Sequence, residues 1–220
     1  MEFKEVLEAR YSCRAFLPEA VSDEVIRELV AASQRIPTWG NTQPGKVYAV
    51  SGAKAHALRI DLTAAATAGQ DENPDIPMPQ GFEGRLMDRY RALGKSLFKV
   101  LGIGRDDREK RREHYTNNFN AFGAPTLVYF TVPDRQSPYV IMDVGAMVST
   151  FCLAAADQGL GTCVIAALAR YPDAVRTRLA IPDDEKIVIG VALGHPDPAA
   201  EVNRFRSARE ELDEVLRVLS

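Results

Sequence analysis

The stretch from Val140 to Ala156 constrains this chain most. It is apolar almost throughout, interrupted only by Asp143, Gly145, Ser149 and Thr150. A helix that is apolar nearly all round has to be enclosed by other elements. The run is short for a membrane-spanning helix. It therefore reads as a deeply buried helix, Val140–Asp157, with Gly159 as its C-terminal stop. A chain of 220 residues can bury such an element within one domain or one compact α/β unit.

The remaining elements follow from period and punctuation. Ile187–Leu193 is a continuous apolar run suited to a central strand. Leu127–Val132, Lys46–Ser51 and Thr162–Ile165 read as further strands. Helices are expected over Glu2–Ala9, after the Ser22 cap, over Ala53–Ala68, over Pro172–Leu179 and over Glu210–Leu219. Gly69–Gly81 is a loop. Gly84–Phe122 is helical, with breaks at Gly94 and at Gly102-Ile103-Gly104, and Pro196–Arg206 is extended. The result is a helix-rich α+β chain with about four strands.

Net charge is −3, which points to neither nucleic acid nor an anionic membrane. Cys13, Cys152 and Cys163 form no disulfide pattern. Three reduced thiols and the lack of a basic-plus-apolar leader suggest a cytoplasmic location. His56, His114 and His195 share no metal-ligand spacing, so no metal is expected. Gly159-Leu160-Gly161 and Gly102-Ile103-Gly104 both lack the third glycine of a dinucleotide fingerprint, with Val164 and Asp107 in its place.

Two N-terminal segments carry the chemistry. Arg10-Tyr11-Ser12-Cys13-Arg14 puts two guanidiniums and a hydroxyl within five residues, groups that pair with phosphate oxygens. Pro37-Thr38-Trp39-Gly40-Asn41-Thr42-Gln43-Pro44 is a turn rich in amides and hydroxyls, suited to a flat heterocycle with mixed donors and acceptors. Taken alone, the first is equally a solvated turn, and Asn41 and Gln43 equally satisfy backbone groups in a tight turn. A third basic run, Asn203-Arg204-Phe205-Arg206-Ser207-Ala208-Arg209, adds cations far downstream.

These segments resemble the nitroreductase family, flavin-dependent enzymes with an R-x-S-x-R-like start and a P-S-x-x-N-x-Q-P-like turn. Gly159–Leu168, then Ile181-Pro182 and the apolar strand leading to Gly194-His195-Pro196, continue the resemblance in order. It implies an α+β nitroreductase-like fold, a mainly antiparallel central sheet flanked by helices, in an intertwined homodimer. It implies bound FMN and NAD(P)H as reductant. Arg10, Tyr11, Ser12, Arg14 and Arg209, with Arg206 in reserve, match the phosphate contacts. Thr38, Trp39, Asn41 and Gln43 match ring contacts made across the dimer interface. Ile165, Ala166 and Ala167 match the segment whose backbone N–H groups face flavin N5, where a donor stabilises reduced flavin. No side chain is expected as catalytic acid or base. Trp39 stands where Ser is frequent in the family, Gly45 where an aromatic is frequent, and Ala166 where some relatives carry an acid. His195 reads as structural.

The implied activity is ping-pong reduction of nitroaromatics, quinones or similar electron-poor acceptors by NAD(P)H. Another flavin task (dehalogenation, ene or flavin reduction) and an FMN store or sensor without turnover are the alternatives. Residues 1–220 form one domain in this reading, with an insertion at about 69–115 as a candidate active-site lid. Within it, Arg85–Arg112 holds ten Lys/Arg against four Asp/Glu. That excess reads as a solvated helical face, as an attractor of anionic substrate or of the extra NADPH phosphate, or, least well, as a nucleic-acid patch.

Overall fold

The structure, a computed structural model, describes residues 1–135 and 137–219. Four strands form one sheet in the order β1-β2-β4-β3: β1 (Lys46–Ser51), β2 (Thr126–Pro133), β3 (Gly161–Ile165) and β4 (Glu185–Gly194). Every pairing is antiparallel. The apolar run Ile187–Leu193 is central as expected, lying in β4 between β2 and β3.

Both faces of the sheet are covered, which explains why β2 lacks alternation. Leu127 and Tyr129 pack on one face with Leu58, Leu62, Phe119, Leu168 and Val175. Val128 and Phe130 point the opposite way, against Leu29, Phe151, Val191 and Leu193. The first face is covered by α3 (Gly52–Thr67), α5 (Arg108–Phe119) and α7 (Pro172–Leu179). The second is covered by α2 (Asp23–Ser33) and α6 (Pro138–Asp157). A fully buried Leu or Phe contributes about 1.5–3 kcal/mol, so these two clusters dominate the cohesion of the fold.

The strands are also joined through one carboxylate. Glu185 of β4 is 2% exposed. It accepts from Tyr48 Oη at 3.0 Å and from Thr131 Oγ1 at 2.6 Å, and is ion-paired with Lys46 Nζ. Three strands thus share one buried charge. Burial alone would raise the Glu185 pKa, but the bonds from Lys46, Thr131 and Tyr48 outweigh it and hold the carboxyl below the usual Glu range.

Four elements differ from the sequence reading. The helix α4 (Gly84–Val100) runs through Gly94 without a break. A helical glycine costs only about 1 kcal/mol relative to alanine; the other expected break, at Gly102-Ile103-Gly104, is present, between α4 and Arg108. Residues 196–206 are not wholly extended, because Glu201–Arg204 forms a 3-10 turn. The C-terminal helix shrinks to α8 (Leu212–Val215). Leu212 and Val215 are exposed, at 68% and 73%, and a helix without a packed face does not propagate from so short a nucleus. Finally, α6 is 20 residues long, enough to cross a membrane by length and composition. Only one side of it packs on α2 and the sheet; Met142, Gly145, Ala146 and Ser149 are exposed.

Gly161 shows how closely the N-terminal run lies on β3. A Cβ there would stand 2.8 Å from Cys13 Sγ and 2.9 Å from Cys13 Cβ. Gly161→Ala is expected to destabilise the protein by about 1–3 kcal/mol, the range for overpacking, measured by urea unfolding. Glu185 sets a pH dependence. Its lowered pKa means that its stabilisation is complete above the ordinary Glu value of about 4.3 and is lost as pH falls through the folded-state value. Urea midpoints should therefore drop in acid, and Glu185→Gln should flatten that drop.

Candidate functional site

The N-terminal helix α1 (Phe3–Ala9) ends at Arg10, and the chain then runs alongside β3. Ser12 bridges to Thr162, and Cys13 N donates to Thr162 O at 2.9 Å. Further on, Leu17 N donates to His195 O, so the run is fastened at the ends of both β3 and β4.

The downstream basic run returns to the same place through a residue the sequence did not single out. Asn203 is 6% exposed. Its Oδ1 accepts from Arg14 N at 2.9 Å, and its Nδ2 donates to Ala15 O at 2.8 Å and Asp197 O at 3.0 Å. An amide can satisfy donors and acceptors of two backbone segments at once, which no hydrophobe can do. Its only sequence signal was its place beside Arg204.

Arg10, Tyr11, Ser12, Arg14, Arg206 and Arg209 consequently line one cavity of about 410 Å³, together with Glu8 and with Leu93 of α4. The Arg206 guanidinium lies 3.9 Å from the centre of the Tyr11 ring and donates to Asn203 O at 2.8 Å. Arg209 donates to Ser207 Oγ at 2.7 Å. Among the described residues, none of these four guanidiniums has a carboxylate partner within 4.0 Å, whereas Arg204 in the same run pairs with Glu201 at 2.8 Å. Unpaired like charges around one cavity repel each other until an anion enters. The donors fit a phosphate group such as that of FMN.

The turn lies elsewhere in the chain. Thr38 and Gln43 line a separate cavity of about 40 Å³ with Asp143, Val144 and Met147 of α6. Trp39 is 63% exposed and Asn41 is exposed. Within one chain the structure does not bring Thr38, Trp39, Asn41 and Gln43 to the guanidinium cavity. Ile165, Ala166 and Ala167 form the bend from β3 into a 3-10 turn, with Ile165 buried and Ala166 exposed. The bend packs closely because β4 has Gly190 opposite it, where a Cβ would stand 2.6 Å from Leu168 Cβ.

A larger cleft, about 1020 Å³ between α3 and α5, had no motif to announce it. Arg59, His114, Asn117 and Asn120 line it, and Arg59 Nε and Thr63 Oγ1 are buried without hydrogen-bond partners among the described residues. Burial, aided by the Arg14 charge, lowers the His114 pKa and favours the neutral ring. The thiols are poor nucleophiles. Cys13, Cys152 and Cys163 are buried and free, and burial pushes Cys163 up to about 11.

The basic stretch is partly structural. Arg85 pairs with Glu214 at 2.5 Å and Arg89 with Glu210 at 3.3 Å, tying α4 to the segment that carries Arg209. Arg111 lies over Phe98 at 4.6 Å and donates to Gly104 O.

With this geometry in view, relatives can be placed. The sequence model described as the nitroreductase family matches residues 7–195. The chain is 31% identical over 213 residues to nitroreductase NfnB of Mycolicibacterium smegmatis, covering 96% of this chain and 90% of that one. It is 30% identical over 209 residues to a 4-nitrobenzoate reductase of Pseudomonas putida, covering 95% and 92%. The crystal structure of the FMN-dependent nitroreductase NfnB from Mycobacterium smegmatis in complex with NADPH superposes with a TM-score of 0.93 at 30% identity, covering 99% of this chain and 97% of that one.

Asn203→Ala removes three bonds, two of them to the N-terminal run at Arg14 and Ala15 and one to Asp197, and leaves buried backbone groups unpaired. It should lower stability by about 1–3 kcal/mol and also weaken binding of inorganic phosphate, as read by thermal unfolding and by phosphate titration.

Proposed function

Because this chain belongs to the nitroreductase family, we propose that it is an FMN-dependent oxidoreductase that uses NAD(P)H to reduce nitroaromatic and similar electron-poor acceptors. The observation that carries the reading is the guanidinium cavity: Arg10, Arg14, Arg206 and Arg209, without carboxylate partners among the described residues, around a space lined also by Ser12 and Tyr11. The relatives point the same way, since one is an FMN-dependent nitroreductase in complex with NADPH and another a 4-nitrobenzoate reductase.

When bound, FMN supplies hydride acceptance and release. The protein binds, orients and encloses. Arg10, Arg14, Arg206 and Arg209 hold the phosphate, with Ser12 as a neutral donor. The bend at Ile165, Ala166 and Ala167 offers backbone N–H groups to the ring. Thr38, Trp39, Asn41 and Gln43 reach the ring of a partner subunit, so the working unit is a homodimer. The exposed face of α6 supports this: Met142 is 63% exposed on an apolar helix, and burying such a face favours association. Residues 1–220 act as one domain. Its insertion at about 69–115 is a lid, supported by Leu93 of α4 lining the cavity and by the Arg85 and Arg89 ion pairs. The buried free thiols fit a reducing, cytoplasmic setting.

The visible spectrum of the purified protein tests the reading. A flavin spectrum that bleaches with anaerobic NADPH and returns with a nitroaromatic is the expected result; a colourless protein that does not take up FMN overturns it. Arg10→Ala and Arg209→Ala should each weaken FMN binding by about 1.5–3 kcal/mol, the scale of a charged hydrogen bond. Unchanged FMN affinity in both would remove the phosphate assignment.

A further inference from the structure

The segment Thr38–Gln43 has a conformation it would not keep by itself. Gly40, Asn41 and Gln43 have φ values of 53°, 57° and 48°. Two side-chain-bearing residues in the left-handed region, so close together, persist only when their surroundings over-determine them. The bonds inside the turn close it on itself: Gln43 N donates to Thr38 Oγ1 at 3.1 Å and Gln43 Nε2 to Asn41 O at 3.2 Å. They do not fix it against the rest of the molecule.

That fixing comes from one stripe of α6, residues four apart and therefore stacked along one helix face. The Tyr139 ring packs on the Trp39 indole with centroids 4.9 Å apart. Asp143 Oδ2 accepts from Trp39 N at 3.0 Å. Met147 Sδ reaches the backbone beyond Pro44, where a Cβ on Gly45 would stand 3.0 Å from it. The two departures from the family pattern that lie in and beside this turn, Trp39 and Gly45, are thus each answered by a residue of this stripe. Among the described residues, the bond from Trp39 N to Asp143 is the hydrogen bond that joins residues 38–43 to the rest of the chain. Asp143 is only 5% exposed. A carboxylate taken out of water at that position is costly unless it is paired, and its partner here is the backbone of the turn.

We propose that Asp143 is a positioning residue for the flavin-facing turn. Its buried carboxylate on α6 holds the Trp39 backbone, and thereby fixes where the Asn41 and Gln43 amides are presented, without itself contacting the flavin. The proposal rests on the reading of the turn as a flavin wall.

Trp39 is the only tryptophan of the chain, so its emission reports on the turn with no flavin present. Asp143→Ala is expected to red-shift that emission in the apoprotein and to weaken FMN binding about tenfold, with Asp143→Asn, which keeps an acceptor oxygen, staying within about threefold of the parent. A folded Asp143→Ala protein with parental FMN affinity overturns the proposal. A lowered melting temperature without change in FMN affinity does the same, because it marks a structural role only. Should Asp143→Ala not fold, Trp39→Pro is compared with Trp39→Ala. Both lose the indole, but only the proline loses the N–H that Asp143 accepts. Weaker FMN binding in the proline variant supports the proposal, and equal binding overturns it. Asn41→Ala separates this inference from the reading beneath it. Parental FMN affinity in Asn41→Ala removes the turn from the flavin site and the role of Asp143 with it. A weakened Asn41→Ala beside an unchanged Asp143→Ala removes the role of Asp143 alone.

Discussion

Repulsion among like charges is the constraint around which this molecule is arranged. Four guanidiniums from the two ends of the chain border one cavity, and no carboxylate lies within ion-pair distance of them among the described residues. They stay together because neutral bonds hold their backbones: Cys13 N on Thr162 O, and the Asn203 amide on Arg14, Ala15 and Asp197. Those bonds in turn need a rigid base. The base is the antiparallel sheet, packed on both faces and pinned by the shared carboxylate of Glu185. Stability built in the core is thereby converted into a field that favours an anion at one edge of the molecule.

The opposite strategy is used at the turn. There the backbone itself is strained, with Asn41 and Gln43 in the left-handed region, and the amides are left exposed. α6 serves both purposes of the chain at that point. One side of it packs into the core through Phe151 and Val144, and its N-terminal half carries Tyr139 and Asp143 against the turn. The side bearing Met142, Gly145, Ala146 and Ser149 is exposed. A helix this apolar keeps part of its apolar surface in water in one copy, which is the physical argument for the proposed homodimer.

Much of this was legible in the sequence. The four strands were legible because β-branched and aromatic runs between turn residues leave little choice, and β4 was legible as central because it has no polar face. The Arg10–Arg14 run, the Thr38–Gln43 turn and the Arg206–Arg209 run stood out because their chemistry is dense and local. The helix at Glu210–Leu219 did not form in full, because periodicity describes a face and cannot supply the surface that face packs on. Gly94 did not break α4, because propensity is weak against packing at Leu97 and Phe98.

What the sequence determined by itself was therefore the four strands, most of the helices, and where the dense cations and amides sit along an α+β chain. Only the tertiary structure decided which of these groups meet. It joined residues 10–14 to 206–209 through Asn203, left residues 38–43 apart from them, and gave the turn a buried carboxylate from α6, about a hundred residues downstream. The reason is physical. Strand and helix periods are written in neighbours along the chain. A single amide or carboxylate that bonds across nearly two hundred residues, or across one hundred, leaves no periodic trace, and its partner exists only once the sheet has brought the segments together.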